Sequence, residues 1–307
     1  MKSDADPLVV DNLTVRYGKT TAVDDVGFSV AKGAVYALLG RNGAGKSSTI
    51  QCLVGQRKAA SGECRIFGID TWRRRRHVMT RTSVVPETPD LPPGASAIEL
   101  GRFLGRIRPV WNADDYQARL DRVGVPQKTP SQQLSKGQRR QLALAAALAA
   151  EPEVLILDDP TLGLDAVVRR TLLEELVGEL ADRGTTVLVT THDLTGIEGI
   201  ADRVGIMRHG KLVYDETMDE LKKRFRRLRF IRAEAMEVDE VQAALDPLDV
   251  ADCRFVGAAV DAVVGRADHA RVSAFMEAVG LSDLEIEPLS LEEIFVALCG
   301  DETGGEK

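Results

Sequence analysis

The sequence predicts an α/β fold built around a parallel sheet, and three observations carry that expectation. Runs that are apolar almost throughout, AVYALLG (34–40), VLILDD (154–159) and TTVLVTTHD (185–193), read as strands buried on both faces. Helically patterned stretches stand between them, the alternation that a parallel sheet requires. The first of these runs passes at once into a glycine-rich turn, GRNGAGKSS (40–48), and that turn into a helical stretch, SSTIQCLVGQ.

The remaining elements follow in order. LVVDNLTVRYG (8–18) and AVDDVGFSV (22–30) alternate apolar and polar residues, as half-buried strands do. GECRIFGID (62–70) is a further strand, and the four arginines of TWRRRRHV (71–78) read as a solvated helix face rather than a phosphate patch. From about 87 to 133 prolines and glycines give way to amphipathic stretches, AIELGRFLGRI and ADDYQARLDRVGV, which read as a helical insertion. A helix is expected over 136–150, and another over 166–184 with Gly184 as its stop. KKRFRRLRFIR (222–232) marks a charge-rich boundary. Beyond it, LRFIRAEAM and CRFVGAAVDAVVG read as strands and HARVSAFMEAVG and SLEEIFVALCG as helices, giving a small C-terminal α+β domain over 228–300.

Bulk properties narrow the function classes. The 307 residues suffice for one large domain and one small one. A net charge of -7 disfavours a general nucleic-acid binder, so no nucleic-acid partner is expected. Four scattered cysteines lack metal-ligand spacing and fit a reducing cytosol. MKSDADPLVV lacks the pattern of a signal peptide. The longest apolar helical run, LALAAALAA (142–150), is about half the length needed to span a bilayer. A soluble chain is expected, whose membrane role, if any, runs through a partner.

Gly40 to Ser47 fit G-x-x-x-x-G-K-[ST]. Glycines let the backbone N–H groups of such a loop turn inward onto phosphate oxygens, and the helix that follows adds its positive end. Lys46 reaches β- and γ-phosphates, and the Ser47 hydroxyl can ligate Mg²⁺. Chance places four such matched residues at on the order of one in ten thousand start sites. Here the motif also follows an apolar strand and opens a helix. VLILDD supplies the second half of such a site, with Asp158 as a Mg²⁺ ligand. Asp159 either orients or deprotonates the attacking water, or forms a turn before Pro160.

These residues resemble the nucleotide-binding subunit of an ABC transporter. Leu134-Ser135-Lys136-Gly137-Gln138 is similar to that family's signature LSGGQ, Gly163-Leu164-Asp165 to its D-loop, and His192 to its switch histidine. Tyr17 stands where the family has an aromatic that stacks on adenine. The match covers about residues 8–220, with the helical subdomain at 87–133. It implies a P-loop NTPase of the ABC ATPase type with an antiparallel β subdomain. The nucleotide contacts it implies are Tyr17, Asn42, Gly43, Ala44, Gly45, Lys46, Ser47, Ser48, Ser135, Gly137, Gln138 and Asp165. The implied metal set is Ser47, Asp158 and Glu87, and the implied catalytic set Asp159, His192 and Glu87. Ser135 stands at a helix N-cap, and in this family the signature faces the γ-phosphate held by a second subunit. The resemblance therefore implies ATP and Mg²⁺ as cofactors and a second ATPase subunit, identical or not. It also implies a transmembrane permease and a peripheral position on the cytoplasmic face of the cell membrane. PLSLEEIFVALCG (288–300) resembles the tail of drug- and antibiotic-export ATPases, and the C-terminal domain of this chain is expected either to dimerise or to regulate.

Some positions depart from the family pattern. Asp159 replaces a glutamate, which retracts the carboxylate by about 1.5 Å. Hydrolysis is then slow, or this chain is the slow member of a heterodimer. Glu87 stands for a glutamine and Lys136 for a signature glycine, while Arg41 and Ser48 replace the commoner proline and threonine. Two other classes compete with the energy-coupling ATPase. A soluble ABC-type ATPase acting on nucleic acid or ribosomes has only the basic 222–232 run in its favour. A small-molecule kinase would leave the signature and the histidine unused.

Overall fold

The computed structural model describes residues 6–161, 169, 172–173, 176, 183–191, 194–233, 236–281 and 283–300. The chain forms two compact units, Met1–Asp215 and Glu216–Lys307.

The first unit is organised on two sheets. One is antiparallel and comprises β1 (Leu8–Tyr17), β2 (Thr20–Val30), β4 (Ser61–Ile66) and β5 (Ile69–Asp70), in the order β2-β1-β4-β5. The other is six-stranded. It contains β3 (Val35–Gly40), β6 (Thr82–Val85), β7 (Val154–Asp158), β8 (Thr186–Thr190), β9 (Arg203–Arg208) and β10 (Lys211–Thr217), ordered β10-β9-β3-β8-β7-β6. The pairs β9/β3, β3/β8, β8/β7 and β7/β6 are parallel. Every residue of β3 and of β8 is buried, which is why neither run alternates. Helix α1 (Lys46–Leu53) lies between the sheets. Its Ile50 and Leu53 share one core with Leu8, Val10 and Phe28 of the antiparallel sheet and with Leu38 and Ile156 of the parallel one. The phosphate loop is thereby anchored to both layers.

The helical insertion has a core of its own. Helices α3 (Ala97–Ile107) and α4 (Ala113–Arg122) pack with α5 (Lys136–Ala149) through Leu100, Tyr116, Leu120, Leu142 and Ala145. Ser96 and Glu99 form a capping box on α3, and Asn112 caps α4 by accepting from the Asp115 N–H at 3.0 Å. The short helix α2 (Arg75–Val78) leaves its arginines exposed, the solvated face expected of them. Gly184 has φ 62°, the left-handed geometry of a helix stop, while most of the helix expected before it lies outside the described residues.

The sequence reading leaves β6, β9, β10 and the short helix α6 (Leu194–Glu198) unassigned. β9 and β10 form a hairpin whose turn residues, His209 and Gly210, have φ of 49° and 80°. Histidine is an uncommon occupant of that position, so the turn carries a weak sequence signal.

The second unit carries helix α7 (Met218–Arg224) and a sheet ordered β12-β13-β11-β14. Its strands are β11 (Arg226–Ile231), β12 (Val250–Val256), β13 (Ala259–Val264) and β14 (Glu285–Pro288), with every pairing antiparallel. Leu228, Phe230, Val260 and Ala262 pack against Val241 and Leu245 of α8 (Val238–Leu245) and Val272 and Phe275 of α9 (His269–Val279). The basic 222–232 run is the end of α7 followed by β11, in which Leu228 and Phe230 are buried. Arg227 and Arg229 alternate with them and pair with Asp261, Glu287 and Glu293. Helix α10 (Leu291–Cys299) opens on a Ser290–Glu293 capping box. Among the described residues, no helix is long and apolar enough to cross a membrane.

Candidate active site

The loop from Gly40 to Ser47 joins the C-terminal end of β3 to the start of α1. Two glycines set its path. A Cβ on Gly40 would lie 2.7 Å from the Met207 carbonyl oxygen. Gly45 has φ 107°, and a Cβ there would lie 2.6 Å from the Ala22 carbonyl oxygen. Gly45 is also the N-cap of α1, so no side chain caps the helix, and its first turn carries no acidic residue. The N–H groups of that turn face the loop as an anion site. Lys46 is 8% exposed, and its ammonium donates to the carbonyl oxygens of Gly40 at 2.5 Å and Arg41 at 3.3 Å. Those bonds hold the positive charge over the concave side of the loop.

A cleft of about 240 Å³ collects the rest of the chemistry. It is lined by Ala22, residues 41–48, Glu87, Asp158, Asp159 and Thr190. Asp158 ends β7 and Thr190 ends β8, and the two are register partners. The Thr190 hydroxyl donates to Asp158 Oδ1 at 2.7 Å. Immediately after β7 the chain turns at Asp159, with φ 49°, and this residue is 5% exposed. Its N–H donates to both the carbonyl oxygen of Thr190 at 2.9 Å and the Thr190 hydroxyl at 3.0 Å. Asp159 therefore forms a turn and also lines the cleft.

Ser47, Asp158 and Glu87 supply oxygen donors to this one cleft. Among the described residues, no three His, Cys, Asp or Glu side chains form a metal cage. The donor set fits Mg²⁺, which binds through one or two carboxylates and takes further ligands from phosphate and water.

Tyr17 sits beside the cleft rather than in its lining. Its hydroxyl lies 3.2 Å from both Ser48 Oγ and Gln51 Oε1, and the residue is 42% exposed. The Arg57 guanidinium covers one ring face at 3.6 Å from the centroid and donates to the Arg16 carbonyl oxygen at 3.0 Å. Ser135 caps α5, and the signature doubles as a capping box. Ser135 Oγ accepts the Gln138 N–H at 3.1 Å, and Gln138 Oε1 accepts the Ser135 N–H at 2.9 Å. The cap uses only an acceptor lone pair of Ser135, so its hydroxyl proton remains a donor. Lys136 is exposed, and Ser135, Gly137 and Gln138 do not line the cleft of their own chain. His192 and Asp165 lie outside the described residues.

Three contacts escape sequence reading: Thr190 between the aspartates, Arg57 on Tyr17, and Arg140. Arg140, on α5, donates from Nε and Nη2 to the Glu87 carbonyl oxygen at 3.1 and 2.8 Å. Of these only Thr190 leaves a trace, as a hydroxyl residue ending an apolar strand.

A phosphate loop closing one parallel strand, with a pair of carboxylates at the end of another, defines a nucleoside-triphosphate-binding protein of the P-loop class. Comparison with known proteins narrows that class. The family profile described as ABC transporter matches residues 23–162. The chain is 34% identical to the daunorubicin resistance ATP-binding protein DrrA3 of Streptomyces coeruleorubidus, over 96% of each chain. It is 35% identical to the bacitracin transport ATP-binding protein BcrA of Bacillus licheniformis, over 70% of this chain and 71% of that one. A solved ATP-binding subunit of an ABC transporter superposes with a TM-score of 0.65 at 29% identity, covering 70% of this chain and 92% of its own. The chain belongs to the ABC transporter family, as an ATP-binding and ATP-hydrolysing subunit. The nucleic-acid and kinase alternatives gain nothing from these relatives.

Proposed function

We propose that this chain drives a separate membrane permease, an exporter for antibiotic-type cargo, by closing on ATP with a second ATPase subunit and reopening after hydrolysis. The relatives named for daunorubicin resistance and bacitracin transport support the export reading. The observation that carries the chemistry is the single cleft holding Lys46, Ser47, Glu87, Asp158 and Asp159.

In this reading the N–H groups of residues 42–48 and the Lys46 ammonium cradle the β- and γ-phosphates. Ser47, Asp158 and Glu87 hold Mg²⁺, which supplies neutralisation of charge on the phosphate oxygens. Asp159 accepts a hydrogen bond from the attacking water and lines it up with the γ-phosphorus. Tyr17 offers its uncovered ring face to the adenine. The Ser135 hydroxyl and the α5 N-terminus, with Gly137 and Gln138, address the γ-phosphate bound to the other subunit. By family resemblance Asp165 lies at that interface, and His192 bonds the γ-phosphate or the water. Residues 87–133 form the docking element for the permease, with Phe103, Ile107 and Val110 exposed on it. The chain then sits against the cytoplasmic face of the membrane through that partner, and its C-terminal unit steadies or regulates the pair.

Co-expression with its candidate permease tests the reading. The chain is expected to purify in a detergent complex whose ATPase is lost in Lys46→Ala. Purification with RNA instead of a membrane protein overturns it.

A further inference from the structure

We propose that Thr190 is a positioning residue of the hydrolytic site, its hydroxyl fixing the orientation of the Asp158 carboxylate that would hold the metal. The inference rests on the reading above, in which Asp158 holds Mg²⁺ and Asp159 acts on water.

A threonine hydroxyl carries one proton. At Thr190 that proton goes to Asp158 Oδ1 at 2.7 Å, which takes up one lone pair of that oxygen and fixes the plane of the carboxylate. The lone pairs receive the Asp159 N–H at 3.0 Å. An aspartate carboxylate otherwise turns freely about its last torsion, which has broad, two-fold minima. One charge-assisted bond at this length removes that freedom. The anchor itself does not move. Thr190 is fully buried, and β-branching restricts its χ1. The Asp159 N–H keeps a second bond to the Thr190 carbonyl oxygen at 2.9 Å, independent of the side chain. Valine at 190 therefore preserves shape and backbone pairing while deleting only the hydroxyl. A threonine serving the fold alone would be replaced by valine without effect on metal binding.

The test uses the full-length chain and a fluorescent ADP analogue, with Mg²⁺ titrated against nucleotide binding. Thr190→Val is expected to raise the Mg²⁺ midpoint about tenfold, the scale of a lost hydrogen bond to a charged group. Binding in EDTA is expected to stay unchanged, and Thr190→Ser is expected to retain the wild-type midpoint. Asp158→Asn is the reference variant. If it shifts the midpoint and Thr190→Val does not, the positioning role is wrong and the reading of Asp158 stands. If Asp158→Asn leaves the midpoint in place, that reading fails and takes the proposal with it. Should the valine variant not fold, Thr190→Ala makes the same comparison. A serine variant as impaired as the valine variant also overturns the proposal.

Discussion

Replacing Asp159 with glutamate should pull activity and stability in opposite directions. The added methylene advances the carboxylate by about 1.5 Å into the cleft. A misplacement of about 1 Å at a reacting group costs on the order of 10²-fold in rate, about 2.7 kcal/mol of barrier. Restoring the reach should raise turnover by up to that factor. The backbone resists the change. Asp159 sits at φ 49°, held there by two bonds from its N–H to Thr190. Aspartate tolerates this left-handed geometry because its short side chain bonds locally, whereas glutamate loses that help, at about 1 kcal/mol. For a chain of this class that corresponds to a melting point about 2–4 °C lower. Phosphate release at saturating Mg-ATP and a thermal melt without nucleotide separate the two effects. Asp159→Asn should fall below the wild type in turnover. A glutamate variant no faster than wild type, beside an inactive asparagine variant, would refute the distance reasoning and mean that the site is built for aspartate. Equal turnover in all three would locate hydrolysis in a partner subunit, the heterodimer reading of the same substitution.

Two further outcomes follow from contacts elsewhere. Removing the guanidinium that covers Tyr17, as Arg57→Ala, should weaken ATP binding about two- to fivefold, the scale of an exposed cation–π contact. Calorimetric affinity for inorganic triphosphate, which has no base to stack, should not change. In the C-terminal unit, the Ser290 N–H and hydroxyl, and then Arg227, hold the Glu293 carboxyl below its ordinary range. A folded-state value below the unfolded one means stabilisation above the unfolded carboxylate pKa, lost as pH falls through the folded value. Ser290→Ala should therefore cost about 1 kcal/mol at pH 7 and distinctly less at pH 3, measured by urea unfolding of the full chain.

Much of the site is legible in the sequence because its parts are local. Gly40 to Ser47 needs only a strand before it and a helix after it, and Ser135 announces its cap through Gln138 three residues on. The contacts that tune the site are tertiary and leave little trace. Thr190 reads as a β-former in a buried strand, and only the register of β8 against β7 sets it beside Asp158. Arg140 lies 53 residues from Glu87, so no periodicity joins them. The 222–232 run misleads for a related reason. Two of its arginines, Arg227 and Arg229, share one face of an antiparallel strand, spaced by the pleat, with Leu228 and Phe230 on the other. A charge count detects the basic run and not the alternation inside it. Residues 203–217 escape because a hairpin turn at His209-Gly210 lacks the Asn-Gly or Asp-Gly signal.

The central claim is that ATP is shared between the phosphate loop of one subunit and the signature serine of another. Sedimentation of the Asp159→Asn variant with its permease, with and without Mg-ATP, tests it most directly, using Ser135→Arg as the comparison. The account predicts a nucleotide-dependent pairing of ATPase subunits with two ATP retained, abolished by the arginine. Pairing that ignores nucleotide, or that survives Ser135→Arg, would contradict it.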